Sequence, residues 1–155
     1  MVIRPLRQED LPAVLALWLE STTRAHPFIS PAYWQESLPS VRDEYLPAAR
    51  TWVVEQDASL AGFISVLRGK VVGALFVAPA YQRRGVGLAL MTMAQQAYPA
   101  LTLEVYRLNR NACRFYHHRG FFPIAQRLNG ETGHLILQLH WYAGGIMHAV
   151  SPPSS

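Results

Sequence analysis

Three runs rich in β-branched and aromatic residues stand close together in the middle of the chain: Trp52-Val53-Val54, Leu60 to Leu67 and Val71 to Val77. Only Gln56-Asp57-Ala58-Ser59 separates the first two, and only Arg68-Gly69-Lys70 the second two. A parallel connection needs a crossover of a dozen or more residues, so connectors this short imply an antiparallel meander. Pro79 ends the third strand, because proline cannot donate to a ladder.

Helices are expected on both sides of this meander. Val2 to Leu6 reads as a short first strand. Asp10 can cap a helix whose apolar positions Leu11, Val14, Leu15, Trp18 and Leu19 recur at helical spacing. The polar stretch Ser21 to His26, closed by Pro27, predicts a break. A second helical stretch spans Pro31 to Leu46, interrupted or kinked near Pro39. Beyond the meander a helix opens at Gly85-Val86-Gly87 with Val86, Leu90, Met93, Ala94 and Ala97 on one face. Leu101 to Tyr106 follows as a strand. A helix from Asn109 to Arg119 then buries Ala112, Phe115 and Tyr116 and stops at Gly120. Phe121 to Arg127 and His134 to Trp141 read as a hairpin around Asn129-Gly130. Residues 1–141 make one domain, and 142–155, ending Ser-Pro-Pro-Ser-Ser, read as a loose tail.

Composition narrows the class. Half of the 155 residues are apolar and 15% are charged, enough for a sizeable core. No apolar run approaches the roughly 20 residues that span a bilayer, and the N-terminus lacks a secretion-signal pattern. A single cysteine, Cys113, excludes an internal disulfide and fits a reducing compartment. The expected location is the cytoplasm, with no membrane partner. The net charge of +4 is unevenly spread: residues 1–58 sum to −3 and residues 59–155 to +7. Two ligands of opposite charge would suit such halves, although solvated surface arginines would give the same count. No lysine-rich arm or aromatic-basic interleaving points to nucleic acid.

Val77-Ala78-Pro79-Ala80-Tyr81-Gln82-Arg83-Arg84-Gly85-Val86-Gly87 puts two glycines and two arginines where a strand gives way to a helix. Such a junction binds anions, because the first N–H groups of a helix lack partners and glycine lets a phosphate reach the backbone. A Walker A loop would continue Gly-Lys-Ser/Thr, whereas Leu88-Ala89 follows here. A dinucleotide fingerprint would need a small residue at Leu90, and it belongs on a parallel sheet.

Gln82-x-x-Gly85-x-Gly87 after a strand ending Val77-x-Pro79 resembles the CoA-pyrophosphate loop of GNAT acetyltransferases. The second half agrees: Leu103-Glu104-Val105, then Asn109, then Phe115-Tyr116, then Gly120-Phe121. The front end, with His26-Pro27-Phe28-Ile29, Tyr33-Trp34, Val41-Arg42-Asp43 and Tyr45-Leu46, is similar to a bacterial, YiaC-like subgroup. The resemblance implies an α/β GNAT fold: a mixed, mostly antiparallel sheet of six to seven strands, splayed around the CoA site and flanked by about four helices. It implies acetyl-CoA as cosubstrate, no metal, and an amine acceptor. Assembly as monomer or homodimer stays open.

The resemblance also implies roles. Backbone amides of Arg83, Arg84, Gly85, Val86, Gly87 and Leu88 would hold the pyrophosphate, in the loop that Gln82 opens. Main-chain groups of Leu75, Phe76 and Val77 would pair with the pantetheine, and Asn109 would bind CoA through its amide. Arg107, Arg110 and Arg114 would reach the nucleotide phosphate or simply be surface. A lysine amine at pH 7 is neutral in fewer than about one molecule in a thousand, so attack needs a base. Glu104, acting directly or through a water, is the candidate; its alternative is a structural carboxylate in the splay. Tyr116 is the candidate acid for the departing thiolate, its alternative a core tyrosine. His26, Phe28 and Trp34, with Tyr45, would form the acceptor wall, and Glu20, Glu36, Asp43 and Glu44 an acidic mouth. Cys113 and His117 share a helix face but lack an orienting third group, and His117-His118 point apart, which disfavours a metal.

Three readings follow: an acetyltransferase for protein lysines or N-terminal amines, one for a small amine (polyamine, amino acid or antibiotic), or a CoA-binding module without turnover. Retention of both Glu104 and Tyr116 argues against the last.

Overall fold

In the computed structural model, which describes residues 1–144, seven strands form one sheet in the order β1-β2-β3-β4-β5-β7-β6. They are β1 (Val2–Pro5), β2 (Ala49–Gln56), β3 (Ser59–Leu67), β4 (Val71–Val77), β5 (Ala100–Tyr106), β6 (Phe122–Leu128) and β7 (Leu135–Tyr142). Four helices flank the sheet: α1 (Leu11–Ala25), α2 (Pro31–Ser40), α3 (Val86–Ala97) and α4 (Arg110–His118). The expected α/β class, sheet and helix number are therefore what the structure shows.

The meander is antiparallel throughout β1 to β4. Its two connectors carry consecutive positive φ values, 55° and 60° at Asp57 and Ala58, then 52° and 67° at Arg68 and Gly69. That backbone matches the twist of the flanking strands, as type I′ turns do. β4 and β5 run parallel, but their pairing is confined to Val71 with Thr102, where the Thr102 N–H donates to the Lys70 carbonyl at 2.8 Å. Past that point β3 still holds one side of β4, through Leu75 with Ile64 and Val77 with Gly62. The other side has no ladder, so the sheet opens as a wedge.

Two apolar layers grip the sheet. Leu90 and Met91 of α3 pack fully buried with Val54, Ile64, Leu101 and Leu103. On the opposite face Val14, Leu17 and Trp18 of α1 pack with Val53 and Phe63. Burying each such side chain contributes about 1.5–3 kcal/mol.

The helical third departs from expectation in two places. α1 continues through Ser21 to Ala25 instead of breaking at Ser21, because Thr22 falls on the buried stripe of Val14 and Trp18 and is itself 3% exposed. α2 passes through Pro39, and the disturbance appears just beyond it, as a wider π-type turn over Val41–Tyr45. At the other end β7 includes Tyr142, paired with Ala100. The remainder of the expected tail, from residue 145, lies outside the described residues. Among the described residues no helix is long and apolar enough to cross a membrane.

Candidate active site

The loop between β4 and α3 forms an anion cradle. Arg83 and Gly85 have φ of 65° and 81°, a left-handed backbone that turns the chain sharply into α3. A Cβ at Gly85 would meet nothing within 4 Å, so the space before the helix is open. The first bond of α3 runs from Ala89 N–H to the Gly85 carbonyl at 2.9 Å. The N–H groups of Val86, Gly87 and Leu88 therefore have no intrahelical acceptor and are free for an anion. Gln82 donates from its side chain to the Val77 carbonyl at 3.3 Å, tying loop to strand. The Arg84 guanidinium lies 5.7 Å from the Tyr81 ring, whose hydroxyl donates to the Gln56 carbonyl. Val86 is 1% exposed, so it anchors the helix while its amide faces the cradle.

Two cavities open on the wedge between β4 and β5. One, of about 660 Å³, reaches from Gln82 and Gly87 past Val77 to Phe115 and Arg110. The other, of about 650 Å³, is walled by Trp18, His26, Trp34 and Tyr45 and by Glu104 and Tyr106. Leu75, Phe76, Asn109, Ala112 and Tyr116 line both. The strand edge expected for pantetheine and the tyrosine expected as acid thus sit where the cavities meet. Asn109 caps α4, its Oδ1 accepting from Ala112 N–H at 3.3 Å, which leaves its amide N–H₂ for a ligand. Arg110 lines the first cavity, whereas Arg107 and Arg114 line neither and are exposed.

Tyr116 is half-buried between Phe115 and Phe121, at ring separations of 5.5 and 5.6 Å. Burial pushes its phenol well above the ordinary tyrosine range, with the nearby Cys113 adding to the shift. The proton therefore stays on oxygen, available to a thiolate. Glu104 is half-exposed and held by Arg127 in a two-pronged ion pair, Nη2 to Oε1 at 2.8 Å and Nε to Oε2 at 3.3 Å. Cys113 sits under the Tyr106 carbonyl at 3.8 Å, and burial pushes its thiol up, away from a reactive thiolate.

The helical third supplies an aromatic box. His26 is 8% exposed, and its ring centre lies 5.1 Å from Trp34, 5.2 Å from Tyr106 and 5.6 Å from Phe28. Phe28 does not line the cavity but backs His26 and Tyr106. Tyr45 lies across Gly73 of β4, where any Cβ would collide with its ring. Its hydroxyl is buried, and burial pushes its pKa up to about 12 against the opposing pull of the Ser65 hydroxyl. Of the acids expected at the mouth, only Glu44 lines this cavity, joined there by Glu104. Glu20 lines the other cavity beside Arg24, Asp43 pairs with its neighbour Arg42, and Glu36 is exposed away from both. Among the described residues no Lys or Arg lines the aromatic cavity, although Arg127 pairs with its Glu104 from outside. Among the described residues no three His, Cys, Asp or Glu side chains converge as a metal site.

Sequence reasoning missed three contributors. Tyr106 carried a usable signal, because strand alternation puts it on the same face as Glu104. Arg127 carried none, since its partner Glu104 is brought to it by tertiary packing. The Thr22 carbonyl, which meets His26 Nδ1 at 2.6 Å, makes a local contact at helical spacing, inside a stretch that reads as a polar break.

The family model described as an acetyltransferase (GNAT) domain matches residues 8–136. The peptidyl-lysine N-acetyltransferase YiaC of Escherichia coli (strain K12) is 51% identical over 131 residues, 84% of this chain and 90% of that protein. The peptidyl-lysine N-acetyltransferase YjaB of Salmonella typhimurium is 34% identical over 119 residues, 77% of this chain and 81% of its own length. The solution structure of apo-form YjaB from Escherichia coli superposes with a TM-score of 0.77 at 32% identity, covering 90% of this chain and 97% of that one.

Proposed function

This chain belongs to the GNAT acetyltransferase family and is an acetyl-CoA-dependent N-acetyltransferase, and we propose that its acceptor is the ε-amine of a lysine in a protein or peptide. The observation that carries the reading is the pair of cavities meeting at Tyr116: an anion cradle with a bare strand edge on one side, an aromatic, acid-lined cavity on the other. A long aliphatic chain ending in an ammonium suits rings and carboxylates. The names of the relatives YiaC and YjaB, both peptidyl-lysine acetyltransferases, support the same acceptor.

In this reading the amides of Arg83 to Leu88 hold the pyrophosphate, Leu75, Phe76 and Val77 offer main-chain groups to the pantetheine, and Asn109 anchors it near the junction. The amine attacks the thioester directly within a ternary complex, positioned by the walls of the wedge. Tyr116 gives a proton to the departing sulfur. Glu104 takes part in removing the amine proton by way of a water, since Arg127 engages both its oxygens. His26 and Trp34 wall the acceptor, with Phe28 behind them. The enzyme works as a monomer or homodimer in the cytoplasm, with no nucleic acid or membrane partner; the single cysteine and the absence of a basic arm support this.

Free-thiol release from acetyl-CoA, measured with lysine-containing peptides beside a panel of small amines, tests the acceptor. Peptide turnover with acetyl found on a lysine side chain is expected. Turnover confined to small amines would replace the lysine reading with the small-amine one.

A further inference from the structure

His26 closes the C-terminal turn of α1. Its Nδ1 lies 2.6 Å from the carbonyl of Thr22, four residues back, one of the carbonyls that a helix end leaves without a partner. A carbonyl can only accept, so Nδ1 carries the ring proton and the neutral imidazole presents Nε2 as an acceptor. Nε2 has no protein hydrogen bond among the described residues, and the ring lines the acceptor cavity. Trp34, Phe28 and Tyr106 fix its plane from three elements. An oriented acceptor left bare on the cavity wall can take a proton from an ammonium placed beside it.

We propose that Nε2 of His26 is the immediate acceptor of the amine proton, with Glu104, by way of a water, drawing that proton on to solvent. The proposal rests on the lysine reading above for its acceptor. The substrate ammonium loses one N–H proton to Nε2 and gains its lone pair. The nitrogen then bonds to the acetyl carbon as the carbon–sulfur bond breaks. Tyr116 gives its proton to the sulfur and is reprotonated by the second N–H of the nitrogen. The imidazolium returns its proton to a water beside half-exposed Glu104, whose two oxygens stay on Arg127, and no other reactant is required.

The ionisable groups sharing the cavity with His26 are Glu44, Tyr45, Glu104, Tyr106 and Tyr116, and His134 stands behind Phe28 at 4.9 Å. Burial holds the imidazole below its ordinary value, against the opposing pull of the Thr22 carbonyl. The ring therefore stays neutral at pH 7, as a base must before it acts.

Nitrogen–proton correlation spectra of the imidazole in the wild-type protein read the tautomer without reference to any acceptor. A protonated Nδ1 with a bare Nε2 is expected; the opposite tautomer would overturn the proposal. His26→Asn keeps a donor where Nδ1 stands and removes Nε2. It is expected to bind acetyl-CoA as the wild type does, to lose at least about tenfold in kcat on a lysine peptide, and to lose the acid limb of the pH profile. His26→Ala is expected to regain part of its rate with added imidazole. Full turnover in His26→Asn with an unchanged acid limb would sink the assignment. A wild-type protein with the expected tautomer that acetylates only small amines would count against lysine alone, and the same variants on that amine would then decide His26.

Discussion

The two cavities that meet at Tyr116 offer a ligand different means of recognition. The cavity proposed for CoA offers main chain: free helix amides, a left-handed Gly85 and a strand edge bare because β4 and β5 separate after one pairing. The cavity proposed for the acceptor offers side chains, three of them (His26, Trp34 and Tyr106) rings in mutual contact, with Glu44 and Glu104 as its acids. Main-chain recognition tolerates drift in side chains and is shared across a family. Side-chain recognition changes with each substitution, which is how one fold serves many amines.

The junction should give the largest effect. Tyr116→Phe keeps the ring against Phe115 and Phe121 and removes the proton for the thiolate. A fall in kcat of about a hundredfold or more is expected with acetyl-CoA affinity unchanged, measured by steady-state kinetics beside calorimetric titration. Unchanged turnover would make Tyr116 a packing residue. Next, Gly85→Val places a β-branched side chain at φ 81° and crowds the cradle. Acetyl-CoA KM should rise about tenfold while peptide KM holds; a rise in both would deny that the cavities are separate.

On the acceptor side, Glu44→Lys reverses one of two cavity charges. Peptide KM is expected to rise a few-fold, more at low ionic strength than high, with acetyl-CoA binding untouched. The smallest effect concerns stability. His26 has a depressed pKa in the native state, so the unfolded chain binds the proton more tightly. Its contribution is complete above the ordinary imidazole value of about 6.5 and is lost as pH falls through the lower native value. Urea midpoints of wild type and His26→Asn should therefore converge as pH drops through that range.

The same contrast explains what the sequence disclosed. The meander, the Gly85-Val86-Gly87 helix start, and the spacing of Glu104, Asn109 and Tyr116 are local patterns whose geometry follows from a few consecutive dihedrals. The seven-stranded sheet and the cradle were legible for that reason. The extent of α1 was not, because Ser21 to Thr23 look like a polar break until Thr22 is seen to face the core beneath Trp18. Neither was Arg127 on Glu104, since β6 reaches β5 only through β7 and nothing near either residue announces the pairing. Of the four acids near the acceptor segment, sequence proximity suggested all and the fold kept Glu44 at that cavity.

A conjugate joining a peptide lysine to CoA sulfur through a short acyl bridge would occupy both cavities at once and pass between them at Tyr116. Its dissociation constant, measured by calorimetry against CoA and peptide alone, tests the junction most directly. Binding at least about a hundredfold tighter than CoA is expected, because the second contact becomes intramolecular. Affinity no better than that of CoA would mean that a lysine in the acceptor cavity does not meet the thioester there.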